Sequence, residues 1–447
     1  MRENDEERTI KLSDHFSYGK ILRFTAPSIG MMIFTSISGV VDGFFVSNFV
    51  GKTPFAAVNF IYPLLMMLGG LGFMVGTGGS ALVSKTMGER DMAKANRIFS
   101  LLVYASIIGS DVISILGIVF IRPIAIWLGA EGELLEYAVL YGRIILAASP
   151  AFTLQMEFQN FFVTAEKPKL GLYVTIISGV TNMVLDAVLV IPFGLVGAAL
   201  ATAISQMVGG VIPLVYFSRP NDSLLHLGKT RYDGKALLKT CTNGSSELMS
   251  NISMSLVNMI YNVQLLAYAG ENGVAAYGTM MYVNLVFLAI FIGYSIGTAP
   301  IVSFHYGAQN HGELKSLLRK SGVIIGVCSA AMLGLGCVLA RPLSLLYVGY
   351  DAALLDMTVK GFYVFAWSFL FAGFAIFFSG FFTALNDGLT SAIISFLRTL
   401  VFQIAAVLLL PLIWGIDGIW WSIVVAEVMA VIVGGIFLVT KQKKYQY

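Results

Sequence analysis

The sequence predicts an all-α integral membrane protein with twelve transmembrane helices arranged as two pseudo-symmetric six-helix lobes. Three observations predict it. The 447 residues are 57% hydrophobic and only 12% charged, where soluble domains run near 45–50% and about 25%. Twelve apolar stretches are long enough to cross a bilayer, which takes about 20 residues each. The chain also matches itself at one offset of 219 residues, through apolar stretches and turns alike, as a duplication does. Gly51 falls on Gly270, Ala56-Ala57 on Ala275-Ala276, Gly78 on Gly297, Ser84 on Ser303, Gly88 on Gly307, Arg122-Pro123 on Arg341-Pro342, Thr164-Ala165 on Thr383-Ala384 and Pro192 on Pro411.

In order, the predicted spans lie near 21–47, 55–84, 98–120, 135–163, 170–191, 196–217, 238–269, 273–305, 314–340, 354–384, 388–411 and 418–440. Several exceed what a straight crossing needs, which predicts tilt, bends or extension beyond the lipid. Residues 1–20 form a hydrophilic cytoplasmic segment of mixed charge (Arg2, Glu3, Asp5, Glu6, Glu7, Arg8, Lys11). They lack the basic, apolar and small-residue succession of a cleaved signal, so helix 1 is expected to remain. The N-lobe is expected over 21–217 and the C-lobe over 238–440. A cytoplasmic loop over 218–237, with Arg219-Pro220 and Asp233-Gly234, joins them, and 441–447 form a cytoplasmic tail.

Orientation follows from Lys and Arg. The two termini and the loops after helices 2, 4, 6, 8 and 10 carry 21 of them, against Lys52, Arg122 and Arg341 in the loops after the odd-numbered helices. Both termini are therefore expected in the cytoplasm, with the chain in the cell's inner membrane. The net charge of +3 reflects this topology, and no basic arm suggests a nucleic-acid partner. Six spans per copy means both halves enter in the same sense, related by an axis along the membrane normal, with a pathway between them. The duplication places no demand for a second subunit, and a functional monomer is expected.

The sequence excludes much enzyme chemistry. Cys328 and Cys337 share one predicted helix about 13 Å apart, too far to bridge, and Cys241 stands alone. His15, His226, His305 and His311 form no metal-ligand spacing, and no GxxxxGK[ST] loop argues for direct use of ATP. The cluster Gly69, Gly70, Gly72, Gly76, Gly78, Gly79 lies within a span, where it suits close helix packing. No nucleophile–base pair is apparent, so no enzyme and no cofactor are expected. The 19 Met and 32 Phe suit an adaptable greasy pocket, as they suit any helical membrane protein.

Ionisable groups inside hydrocarbon are functional candidates by default. Asp42 in helix 1, Asp186 in helix 5 and Thr202 in helix 6 all fall roughly 8–9 Å below the outer face at about 1.5 Å per residue. Asn182 shares a helix face with Asp186, one turn deeper. Two carboxylates, an amide oxygen and a hydroxyl at one depth make a hard-cation site. Neighbouring carboxylates disfavour each other's charge, so Na⁺ and H⁺ both suit it. The alternative is that these acids hydrogen-bond neighbouring helices. Across the duplication, Asp42, Asn182 and Asp186 face Tyr261, Val401 and Ala405. Ionisable groups kept in only one of two similar lobes point to an ion-coupled transporter.

Pro27 interrupts helix 1 and invites a kink, with Thr35, Ser38 and Asp42 as a polar stripe beyond it. Either a hinge or a static bend would follow. Helix 4 carries Thr153, Glu157, Asn160 and Thr164 at helical spacing, and helix 7 carries Glu247, Asn251, Asn258 and Asn262. Such stripes line a wet cavity between lobes or bond adjacent helices; Thr35, Ser38, Glu157, Asn160, Glu247, Asn251 and Asn258 are the cavity candidates. Arg398 and Glu427, both expected at mid-membrane on antiparallel helices, make a structural ion pair. Asp111 and Arg143 have no evident partner.

With these residues placed, the chain resembles the multidrug and toxic compound extrusion (MATE) family over almost its whole length. The segments that carry the likeness are VVDGFFVSNFVGKTPFAAV (40–58), GTGGSALVSKTMGERDMAKANR (76–97), TNMVLDAVLVIPFGLVGAALATAISQ (181–206), ENGVAAYGTMMY (271–282) and GYSIGTAPIVSFHYGAQN (293–310). The resemblance implies alternating access and export of small amphipathic, mostly cationic compounds by antiport, driven by inward Na⁺ or H⁺. It makes Asp42 the helix-1 acid, Pro27 the bending proline, and Asn182, Asp186 and Thr202 the N-lobe cation ligands. One branch of the family has a further site with a glutamate in helix 7 and an aspartate in helix 10. Those positions are Ser255 and Ala372 here, which favours coupling through the N-lobe; Glu247 lies two turns away and does not inherit the role. The rival is a flippase for a lipid-linked oligosaccharide, which would need a basic cavity for pyrophosphate, while Arg398 is the one basic residue expected near mid-membrane in the C-lobe. A passive channel needs neither asymmetric lobes nor a deep carboxylate pair.

Overall fold

Two glycines and one bend set the number of spans. In the computed structural model, which describes residues 9–447, nine helices are long and apolar enough to cross a membrane. They become ten when Ala352–Ala366 and Ser368–Ala384, bent by 44° at their junction, count as one. Two of these are themselves pairs. Pro168–Ser218 breaks at Gly194 (φ 57°, ψ −129°) and Gly234–Gly307 breaks at Gly270 (φ 65°, ψ −155°), a backbone region that side chains with a Cβ avoid. Twelve spans result: α1 (Tyr18–Phe49), α2 (Lys52–Gly88), α3 (Met92–Trp127), α4 (Gly132–Thr164), α5 (168–193), α6 (195–218), α7 (234–269), α8 (271–307), α9 (His311–Val348), α10 (352–384), α11 (Gly388–Trp414) and α12 (Ile416–Tyr445). Arg2 and Arg8, counted among the N-terminal charges, lie outside the described residues.

The duplication recurs in local geometry. The turn into α3 has Arg90 left-handed and Asp91 capping Lys94 N at 2.9 Å; the turn into α9 has Gln309 left-handed and Asn310 capping Glu313 N at 3.2 Å. Both pairs obey the 219-residue offset. An Asx side chain at each N-cap satisfies one of the amides that a helix start leaves free. Five-residue π-turns interrupt α5 at Asp186–Val190 and α11 at Leu397–Val401.

The packing shows how the lobes meet. One apolar core joins them, combining Phe99, Phe158, Phe161 and Phe217 of the first half with Tyr294, Ile301, Phe377 and Phe381 of the second. This core lies at the end where the basic loops gather. Toward the opposite end each lobe has its own core: Ala57, Ile61, Tyr141 and Leu195 in one, Val257, Tyr261, Met280 and Trp420 in the other. The molecule is therefore closed at its basic end and parted at the other.

Glycines let backbones touch along the closed seam. A Cβ on Gly244 of α7 would overlap the Met74 carbonyl of α2, and one on Gly78 would overlap Thr240 O. The chain before α1 straps this end: Leu12 N donates to Glu166 Oε1 at 2.6 Å and Phe16 N to Glu313 Oε1 at 2.9 Å, while Lys320 Nζ donates to Phe16 O at 2.5 Å. The first contact is to the N-lobe and the other two are to the C-lobe.

Candidate functional site

The Asp42 carboxyl, seven residues from the parted end of α1, meets the side chains of Asp186 on α5 and Thr202 on α6. Asp186 opens the π-turn of α5, a distortion common at functional sites, and is fully buried. Asn182 lies four residues before it on the same helix, and Ser38 Oγ donates to Asn182 Oδ1 at 3.5 Å. Asp42, Asp186 and Thr202 come together, and Asn182 lies one turn of α5 from Asp186 beside Ser38 of α1.

Their bonding is incomplete. Asp42 Oδ1, both oxygens of Asp186, Thr202 Oγ1 and Asn182 Nδ2 are buried without a hydrogen-bond partner. Native proteins satisfy nearly all such atoms, and two bare carboxylates side by side repel each other strongly away from water. A proton shared between the carboxyls or a small hard cation among the oxygens relieves both problems. Among the described residues no group of three His, Cys, Asp or Glu stands ready for a metal. The donor set here is two carboxylates with neutral amide and hydroxyl oxygens, which fits Na⁺ or H⁺ rather than a transition metal.

The comparisons with known proteins place this chain in a family. The family model described as MatE matches twice, at residues 27–188 and 248–409, so each copy of the duplication is one unit of the model. The chain belongs to the MATE family. It is similar to the multidrug export protein MepA of Staphylococcus saprophyticus, 26% identical over 413 residues covering 91% of this chain and 90% of the relative. The Staphylococcus haemolyticus protein of the same name is 25% identical, with 94% and 93% covered. Among solved structures, an outward-facing multidrug resistance MATE family transporter of the MOP superfamily superposes with a TM-score of 0.92, at 22% identity over 98% of this chain and 100% of that one. This MATE protein is thus a multi-pass membrane protein with the family's twelve-helix, two-lobed fold.

The remaining candidates fall in different places. Pro27 is buried within α1 where that helix crosses the lobe seam, with Ser28 and Ile29 against Gly293 of α8 and Thr25 against Gly297. Thr35 donates to Met31 O of its own helix at 2.8 Å. The stripe of Glu157 and Asn160 suits either a cavity between lobes or a contact with a neighbouring helix, and here both residues are buried inside the N-lobe. Gly72 and Gly76 of α2 bring that helix against α4, and a Cβ on Gly76 would come within 2.8 Å of Asn160 Nδ2 and 3.2 Å of Glu157 Cα. On α7, Asn251 Nδ2 donates to Glu247 O at 2.8 Å and Asn258 Oδ1 accepts from Tyr277 OH at 3.0 Å, all three residues half-buried. Arg398 Nε and Nη2 each donate to a Glu427 carboxylate oxygen at 2.8 Å, a bidentate pair of the kind Arg makes best.

Three residues join the site that sequence reasoning missed. Gln206 follows Thr202 by one turn of α6, and its Oε1 is buried and unpartnered. Tyr62 and Tyr141 stand within electrostatic range of Asp42. Gln206 was legible as the i+4 neighbour of Thr202; the tyrosines, on α2 and α4, carry no such signal.

Proposed function

We propose that this protein is a secondary active multidrug efflux antiporter that exports small amphipathic, mostly cationic compounds in exchange for inward Na⁺ or H⁺. The observation that carries the reading is the Asp42–Asp186 contact, with five buried polar atoms of the cluster left unpartnered. Such a pair accepts a cation strongly and gives up its last one reluctantly, as a coupling site requires. The positive-inside rule favours the basic end as cytoplasmic. On that assignment both termini are inside, the described conformation opens outward, and Asp42 and Asp186 sit on the side from which the driving ion enters.

Membership of a family whose relatives include multidrug export proteins supports the substrate class. With the lobes taken as 21–217 and 238–440, one chain suffices for both halves of the pathway. A flippase for lipid-linked oligosaccharide is disfavoured because Arg398 is neutralised by Glu427, which leaves no free basic group there to grip pyrophosphate. The residues assembled here bind and release ions, and no cofactor is invoked.

The deciding experiment follows efflux of a fluorescent lipophilic cation from proteoliposomes under an imposed Na⁺ or H⁺ gradient. Gradient-driven transport that falls at least about tenfold in Asp42→Asn supports antiport through the N-lobe, a loss of that size being about 1.4 kcal/mol or more. Transport that persists unchanged in Asp42→Asn removes the pair from coupling, and no transport under either gradient overturns the antiport reading.

A further inference from the structure

Glu157 is fully buried in α4, about 10 Å from the basic end at about 1.5 Å per residue, and both its carboxylate oxygens lack a hydrogen-bond partner. The Ser106 hydroxyl on α3 is the polar side chain beside it, and no charged group acts on it. Glu247 of α7 faces Arg398, and Asp111 of α3 is exposed. From α2, Gly76 lies against Glu157 Cα and Gly72 against Thr153, and residues 72–80 of that helix include no ionisable side chain. A carboxylate in such surroundings is costly, so Glu157 carries a proton here.

A file of polar atoms runs from the Asp42–Asp186 cluster to Glu157. Thr202 and Gln206 are successive turns of α6; Ser149, Thr153 and Glu157 are successive turns of α4. Gln206 and Ser149 line one small cavity with Gly69 and Phe152. Thr202 Oγ1, Gln206 Oε1, Ser149 Oγ, Thr153 Oγ1 and Ser106 Oγ are all buried and unpartnered. Buried polar atoms in a row are what an internal chain of water satisfies. At the position equivalent to Glu157 by the 219-residue offset, the second copy has Ile376, so this acid follows the same asymmetry as Asp42 and Asp186.

We propose that Glu157 is a second proton-binding site of the N-lobe, joined to the Asp42–Asp186 pair by this file, and that its proton holds the basic end closed. α2 connects the two roles. One side of α2 presses Gly72 and Gly76 onto α4, and the other presses Gly78 onto Thr240 and Gly244 of α7. Loss of the proton leaves a carboxylate that must be hydrated. Water reaches it when α2 parts from α4, and that movement disturbs the α2–α7 seam. The proton leaves Glu157 for water at the basic end, with no other bond made or broken. The ligand is a proton: one carboxyl and one hydroxyl are too few oxygens for Na⁺.

The inference rests on the alternating-access reading, and its test separates the two. Infrared difference spectra of the full chain in lipid nanodiscs across a pH titration read the carbonyl stretch of protonated carboxyls, in wild type, Glu157→Gln and Asp42→Asn. Spin labels at residues 94 and 315, exposed at the basic ends of α3 and α9, with Cys241, Cys328 and Cys337 replaced by Ala, read separation of the lobes. The expected result is a titrating band that Glu157→Gln removes and Asp42→Asn keeps. With it comes a label distance that lengthens as pH rises in wild type and stays short in Glu157→Gln, while Glu157→Asp restores both responses. A band assigned to Glu157 that never changes with pH, or lobes that separate in Glu157→Gln as in wild type, overturns the proposal. Because neither readout uses transport, a failure of the antiport reading through Asp42→Asn leaves this one decided on its own.

Discussion

At the residue scale, two buried carboxyl arrangements in one chain are resolved in opposite ways. Glu427, whose side chain is 5% exposed, meets a guanidinium that is 15% exposed, and the two charges satisfy each other. Removing one partner of such a pair leaves the other charge stranded, at a cost of about 3–5 kcal/mol, whereas apolar replacement of both is often nearly neutral. Arg398→Met should therefore destabilise the protein by that amount in detergent unfolding, and Arg398→Met with Glu427→Leu should recover most of it while transport continues. Asp42 and Asp186 have no such cation built into the fold. The contrast is physical: a permanent partner makes a strut, and an exchangeable partner makes a coupling site.

At the scale of elements, the seam between α2 and α7 depends on missing side chains. Gly244 lies so close to the Met74 carbonyl that any Cβ forces the helices apart. Gly244→Ala should leave each lobe folded, because the separate lobe cores do not involve this contact. It should shift the population away from the state closed at the basic end, read as a longer distance between labels at 94 and 315. An unchanged distance distribution would mean the seam absorbs the methyl group by local adjustment. The glycine-rich run of α2 was legible as a packing signal, but not its partner. Spacing along one helix reports which face is smooth, while the helix that lies on that face is a long-range choice.

At the scale of the molecule, the end of α12 docks on its own lobe at the basic end. Asp387, in the turn between α10 and α11, accepts from Tyr445 OH at 2.8 Å, Thr390 Oγ1 at 2.8 Å and Lys441 Nζ at 3.2 Å. Burial alone would raise its pKa, but these bonds outweigh burial and hold it below the ordinary value of 3.8. A group depressed in the folded state stabilises it fully above its unfolded value, and that contribution is lost as pH falls through the folded value. The end of α12 should stay docked at neutral pH and loosen below about pH 4, read as hydrogen exchange over residues 438–447. Asp387→Asn should bring the same loosening to pH 7, and equal protection in both proteins would assign the docking to the aromatic contacts of Tyr445 and Tyr447 instead.

Twelve spans, two related halves and a deep acid pair could all be taken from the sequence, because they depend on local quantities: apolar length, a repeated offset and depth counted along single helices. Asp42, Asp186 and Thr202 are neighbours for that reason, since they lie at equal depth on bundled helices. Rotation about a helix axis is a different matter. The stripe holding Glu157 and Asn160 fits an open cleft as well as a dry interface, and the glycines of α2, some eighty residues earlier, turned it inward. Likewise only the tertiary structure decided that Gln206 and Ser149 share a cavity, that α2 touches both α4 and α7, and that the lobes meet at the basic end. Hydrophobic length is a property of each segment, but which faces lie against each other follows from packing the whole set, where one glycine or one buried charge outweighs any pattern along the chain.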